Sequence, residues 1–101
     1  MAADLNYSYE GLSDQEKHAC RVCGLLEPYL PYGEDGMSWD FDFCDCCGVE
    51  HGLWDITVAD AKAYRELWLA AGALWKHPED TPQPENWDVQ EQLKNVPSQF
   101  R

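Results

Sequence analysis

Cys20-Arg21-Val22-Cys23-Gly24 and Cys44-Asp45-Cys46-Cys47-Gly48 are two copies of C-x-x-C-G, with twenty residues between Cys23 and Cys44. Two residues between thiolates let the chain turn tightly enough for both sulfurs to reach one ion. A glycine after the second cysteine supplies the positive φ that closes the turn. Backbone N–H groups in such a knuckle can point at the sulfurs and stabilise their charge. Two knuckles place four thiolates at the corners of a tetrahedron, the closed four-cysteine site of structural zinc. The expectation is one Zn2+ held by Cys20, Cys23, Cys44 and Cys47. A site without an open coordination position does not activate water, so the ion points to stability and the chain reads as a non-enzyme. No glycine-rich phosphate loop, nucleophile elbow or H-E-x-x-H motif argues otherwise.

Competing readings of the same residues are disulfide pairing and a thioredoxin-like redox pair. No βαβ pattern surrounds either C-x-x-C, which weighs against the second. The first 15–30 residues lack a basic segment followed by an apolar one, so export is not expected, and in a cytoplasmic setting thiols stay reduced. Cys46 can replace neither Cys44 nor Cys47 without losing the two-residue spacing and the following glycine, and reads as a spare, half-buried thiol. His51, four residues past Cys47, is a competing ligand or else a packing residue. His18 and His77 belong to no recognisable constellation.

Charge is the second constraint. Seven Lys and Arg against nineteen Asp and Glu give a net charge of −12 over 101 residues. Direct nucleic-acid binding is not expected, because that affinity comes mainly from neutralising phosphates with Lys and Arg. An anionic membrane surface is disfavoured likewise, and no apolar run nears the ~20 residues of a membrane span. Between Arg21 and Lys62 there is no Lys or Arg, while the stretch carries Glu27, Glu34, Asp35, Asp40, Asp42, Asp45, Glu50, Asp55 and Asp60. Such a surface is either a solvated, solubility-promoting face or a match for a basic protein partner.

The elements that must position the cysteines are short. Residues 1–16 read as a partly ordered N-terminal segment, with Ser13-x-x-Glu16 spaced as a capping box. Pro28, Pro31, Gly33 and Gly36 make 24–37 loop and turns. In 38–43, aromatic and acid alternate, which predicts a strand with Trp39, Phe41 and Phe43 on the core face and Asp40 and Asp42 on the other. Thr57 is a candidate N-cap for a helix near 58–71, with Ala61, Tyr64, Leu67, Trp68 and Ala71 forming its apolar stripe and Gly72 ending it. Leu74 and Trp75 are expected to pack back onto the core. Three prolines make 77–85 an extended surface linker, and Asp88 can cap a last short helix through Leu93. The chain is long enough for one domain, over 17–101, with a C-terminal extension from 77. Hydrophobic residues at 45% and five tryptophans exclude disorder over most of its length.

In this order, Cys20-x-x-Cys23-Gly24, Cys44-x-x-Cys47-Gly48-Val49-Glu50, Gly52, Asp55, Tyr64-Arg65-x-x-Trp68, Gly72, Trp75, Asn86-Trp87 and Gln92-Leu93-Lys94-Asn95 run over roughly residues 18–96. The chain resembles a family of small bacterial cysteine-rich, zinc-ribbon-like proteins. It departs from that pattern at Cys46, where a small or polar residue is expected, and at His51, where an aromatic is expected. Members are often encoded beside polymorphic toxins of the contact-dependent and Rhs types and act as their immunity proteins.

The resemblance implies a small α+β fold, with a double-knuckle zinc-ribbon-like β-unit, one main helix and a wrapping C-terminal segment. It also implies a cytoplasmic protein that neutralises one cognate, basic toxin domain. On that reading Glu34, Asp35, Asp40, Asp42 and Asp45 form the steering face, occluding a cleft that acts on nucleic acids or nucleotides. Tyr29, Tyr32 and Trp54 supply aromatic anchors. Two other classes compete: a general protein-binding zinc-ribbon adaptor, and a rubredoxin-like iron electron carrier.

Overall fold

The computed structural model describes residues 12–39 and 41–101. The chain runs through three helices, α1 (Asp14–Lys17), α2 (Val58–Ala70) and α3 (Val89–Leu93), then a 3₁₀ turn at Ser98–Phe100. Ser13 and Glu16 form the capping box: Ser13 Oγ accepts from the Glu16 N–H at 3.2 Å and Glu16 Oε1 from the Ser13 N–H at 2.9 Å.

Thr57 caps α2 by accepting from the Asp60 N–H at 3.1 Å. The helix ends in a Schellman motif: Ala73 N–H reaches Trp68 O at 2.8 Å and Gly72 N–H reaches Leu69 O at 3.1 Å, with Gly72 at φ +105°. The buried side of α2 is rotated from the expected stripe. Ala61 and Trp68 are buried and Tyr64 half-buried, but Leu67 is 72% exposed and Ala71 is exposed. Arg65 takes the inward place instead. Its guanidinium donates to Val22 O at 2.7 Å, Arg21 O at 2.9 Å and Phe100 O at 2.6 Å. These three carbonyls need donors that a leucine cannot supply.

The expected strand over 38–43 does not form. Phe41 sits at φ +62°, and both Phe41 and Phe43 are exposed. Among the described residues there is no strand, only the antiparallel bridges Ala19–Leu26 and Phe43–Glu50. The alternation has no sheet to serve. On one side, Asp42 O and Cys44 N–H pair with His51 and Val49 inside the second knuckle. On the other, 30–38 turns back on itself through Gly33 N–H to Leu30 O and Ser38 N–H to Tyr32 O. The β-unit is therefore reduced to the hairpin stems of the knuckles. Asp40 lies outside the described residues.

The core gathers around the cysteines: Val22, Val49, Ala61, Trp68, Val96 and Phe100 pack with Cys20, Cys23, Cys44, Cys46 and Cys47. Trp87 stacks edge-on against Trp75 with centroids 5.3 Å apart and lies 6.3 Å from Trp68. Each indole N–H has an acceptor: Leu74 O for Trp68, Thr81 O for Trp75 and Gln92 Oε1 for Trp87. The Trp75 bond ties the proline-rich passage back to the segment that leaves α2. Trp75 packs inward as expected, whereas Leu74 stays exposed and contributes its carbonyl. Asp88 caps α3 through the Gln90 and Glu91 N–H groups. Beyond it the chain enters the core, with Val96 and Phe100 buried. Among the described residues, no helix is long and apolar enough to cross a membrane.

Candidate metal centre

The two knuckles repeat one hydrogen-bond pattern at an offset of 24 residues. In the first, Cys20 N–H donates to Leu25 O at 2.9 Å, Gly24 N–H to Cys20 O at 2.9 Å and Glu27 N–H to His18 O at 2.9 Å. In the second, Cys44 N–H donates to Val49 O at 2.8 Å, Gly48 N–H to Cys44 O at 2.9 Å and His51 N–H to Asp42 O at 2.9 Å. Gly24 and Gly48 sit at φ +85° and +84°, the left-handed closure expected of each.

This pairing brings Cys20, Cys23, Cys44 and Cys47 together, buried, with all four sulfurs within 4.8 Å of one another. Cys20 and Cys47 Sγ are 3.8 Å apart and Cys23 and Cys44 Sγ 3.6 Å. A disulfide needs about 2.05 Å, and all five cysteines are free. Sulfurs bound about 2.3 Å from a tetrahedral ion lie roughly 3.8 Å from each other. The four cysteines are thus positioned to coordinate one metal ion.

Their ionisation makes the same point. Hydrogen bonds from the Cys20, Cys23 and Cys47 thiols, joined by the Cys47 backbone N–H, hold Cys44 well below the ordinary thiol range. Burial pushes Cys23 and Cys47 well above it. Burial also raises Cys20, but hydrogen bonds from Cys23 and Cys47 outweigh it and leave that thiol lowered. Thiolates gathered this closely in a buried cluster repel one another, and a cation among the sulfurs relieves that repulsion.

The surrounding polar groups carry no local motif. Arg21 is buried, with its guanidinium 3.8 Å from the Tyr32 ring centroid, 4.6 Å from that of Phe100, and donating to Gly36 O at 2.8 Å. His51 is buried with Nδ1 2.9 Å from Asp55 Oδ2. Burial alone would lower its pKa, but the Asp55 hydrogen bond and the nearby thiolates raise it to about 9. Asp55 also accepts from Tyr32 OH at 2.7 Å and the Gly52 N–H at 2.8 Å. Gln92 Nε2 donates to Cys23 O and Cys46 Sγ, both at 3.2 Å. Cys46 is fully buried, not half-buried. The spacing of Asp55 four residues after His51 is the one trace of this network in the sequence.

The residues expected to meet a partner are not one patch. Glu34 and Asp35 stand exposed on a turn. Asp35 Oδ1 accepts from the Met37 N–H at 2.8 Å and Ser38 Oγ at 3.1 Å, bonds that hold its carboxyl below the usual range. Asp42, Asp45 and Tyr29, the last 37% exposed, share a cleft of about 440 Å³ with Glu27, Phe43 and His77. Trp54, 54% exposed, lines a separate groove with Asp60, Tyr64 and Leu67. Tyr32 is not a surface anchor: it is 1% exposed, because its hydroxyl accepts from the Arg21 N–H and donates to Asp55.

No family model and no solved structure matches the chain. It is 32% identical over 95 residues to YoaQ of Bacillus subtilis (strain 168), described as an uncharacterized protein, across 77% of this chain and 72% of that one. The chain belongs to the YoaQ family.

Proposed function

We propose that this is a zinc-ribbon-like immunity protein of the cytoplasm, which binds and neutralises a cognate toxin domain through its acidic surface. The observation that carries the reading is the one-signed exposed charge of residues 18–61. From residue 18 to residue 61 the single Lys or Arg is Arg21, and it is buried. Glu34, Asp35 and Asp42 are exposed and Asp45 is half-buried. Exposed carboxylates from a stretch that presents no exposed Lys or Arg of its own attract a basic cleft built to hold phosphates, and long-range attraction of this kind accelerates encounter. Asp42 and Asp45, with Tyr29 at the same cleft, are the group best placed to enter such a partner. The ion of the four-cysteine centre on this reading is zinc, redox-inert and with every position filled by protein, so it stabilises the binding scaffold.

Two experiments test the proposal. The purified protein should carry zinc and be colourless; a red iron–thiolate spectrum would favour electron transfer instead. In a survival assay, the C-terminal domain encoded by the neighbouring upstream gene is induced with and without this protein. Rescue together with co-purification is the expected result. Killing despite a folded, metallated partner defeats the immunity reading for that pair, and stable co-purification with polymerase or ribosome would favour the adaptor.

A further inference from the structure

Beside the tetrathiolate cluster a second set of ligand atoms converges. The Glu27 carboxylate, Cys44 Sγ and a His51 ring nitrogen lie within 4.8 Å of one another, and all three residues are buried. His51 Nδ1 is committed to Asp55, which leaves Nε2 as the atom open to a ligand. Nε2 is buried and has no hydrogen-bond partner. A bare lone pair on this buried nitrogen accepts from nothing, a cost that a bound metal ion would relieve. The carboxylate on the far nitrogen is the arrangement that orients metal-bound histidines. Here that carboxylate is itself held by Tyr32 OH and the Gly52 N–H, so the ring is aimed before any ion arrives.

We propose that the chain binds a second divalent cation, held by Glu27, His51 Nε2 and Cys44 Sγ, with the Cys44 thiolate bridging it to the ion of the four-cysteine centre. One thiolate and one carboxylate balance the charge of a divalent ion, and the imidazole adds a neutral donor. The mixture of sulfur, nitrogen and oxygen selects zinc-like borderline cations over Mg2+ or Ca2+. Three protein ligands leave one coordination position for water or a partner group, unlike the closed tetrathiolate site. Glu27 also lines the cleft of about 440 Å³ shared by Asp42, Asp45 and His77, which gives an ion a path from solvent. Two ions sharing a ligand typically sit about 3.5–4 Å apart.

The proposal rests on the four-cysteine reading for its bridging sulfur and not on the immunity role. The test is to strip the full chain with a chelator, titrate it with Zn2+ and count bound ions by native mass spectrometry. A parallel titration with Co2+ reports ligand type by absorbance. Wild type should take two ions, the second at least ~10-fold more weakly, since its site has one fewer protein ligand. Glu27→Gln and His51→Phe should each take one and keep the tetrathiolate cobalt spectrum. A wild type that saturates at one ion overturns the second site. Two ions in both variants overturn it as well, because the second ion then lies elsewhere. A chain that binds none defeats the four-cysteine reading itself. Glu27→Gln is the milder change if His51→Phe does not fold, and the wild-type count stands without either.

Discussion

The two knuckles share a sequence pattern and a backbone geometry, yet they sit in opposite surroundings. The first is sealed. Arg65 bonds its carbonyls from α2, Gln92 bonds Cys23 O from α3, and Phe100 stacks on Arg21. The second is less buried, with Asp45 and Gly48 part-exposed, and is tied by Lys76 N–H to Cys46 O at 3.0 Å, His77 N–H to Asp45 O at 2.8 Å, Thr81 Oγ1 to Asp45 Oδ2 at 2.6 Å, Gln92 Nε2 to Cys46 Sγ at 3.2 Å and Tyr64 OH to Cys47 O at 3.4 Å. One side of it opens on the acidic cleft. A C-x-x-C-G pattern therefore specifies how two sulfurs are held. Whether the loop around them is scaffold or working surface depends on what packs against it.

The largest effect should erase the difference. Because the four sulfurs share one centre, Cys23→Ser and Cys47→Ser should destabilise the fold alike, as should stripping with a chelator. Thermal unfolding of both variants and of the stripped protein measures this. A variant that melts like wild type would refute a structural ion. The glycines should then separate the halves. An alanine at either position suffers left-handed strain of about 1–2 kcal/mol. At Gly24 its Cβ would also lie 2.2 Å from Gln92 O, a backbone atom that cannot step aside. At Gly48 the nearest atom is Lys76 Cγ at 2.9 Å, on a flexible side chain. Gly24→Ala should thus cost several kcal/mol by denaturant unfolding and Gly48→Ala about 1–2 kcal/mol. Equal losses would break the contrast.

These environments explain what could be read from the sequence. The cysteine spacing, the glycine after each pair and the Thr57 and Asp88 caps are local, since each depends on residues within a few positions. Tyr32 and Arg65 are not. Tyr32 sits in a proline- and glycine-rich loop and looks like a surface aromatic, yet Arg21 and Asp55, far apart in sequence, supply its hydroxyl's partners. Arg65 looks like the polar flank of an apolar stripe, and only the carbonyls of the first knuckle draw it inward. The alternation in 38–43 failed for a related reason. A period of two fixes which residues share a face, but a strand also needs a neighbour, and the knuckle uses the available backbone groups.

Removing side-chain ties should sharpen the contrast further. Arg65→Ala leaves three knuckle and C-terminal carbonyls without their donor, at a cost of about 2–4 kcal/mol. Thr81→Val removes one hydroxyl bond from the second knuckle and should cost about 1 kcal/mol. Denaturant midpoints compared at constant m-value measure both. A larger loss from Thr81→Val would make the second knuckle the more tightly integrated one.

The smallest effect on stability falls on the acids. Asp42→Lys places a cation at the exposed end of the second knuckle, where Asp42 serves the fold through its backbone carbonyl to His51 and not through burial of its side chain. Glu34→Lys does the same on the exposed turn. Each should shift the melting temperature only slightly, because the interactions of an exposed charge contribute little to folding. Association is another matter, since the long-range field that accelerates encounter is the sum of these charges. With a basic toxin domain as partner, each reversal should lower the association rate and flatten its salt dependence, with Asp42 having the larger effect because it lines the cleft. Stopped-flow or surface-based kinetics at two ionic strengths reads this directly. Unchanged rates with an intact fold would mean that the acid-rich half only keeps the protein soluble, and the open knuckle would lose its role as the interface.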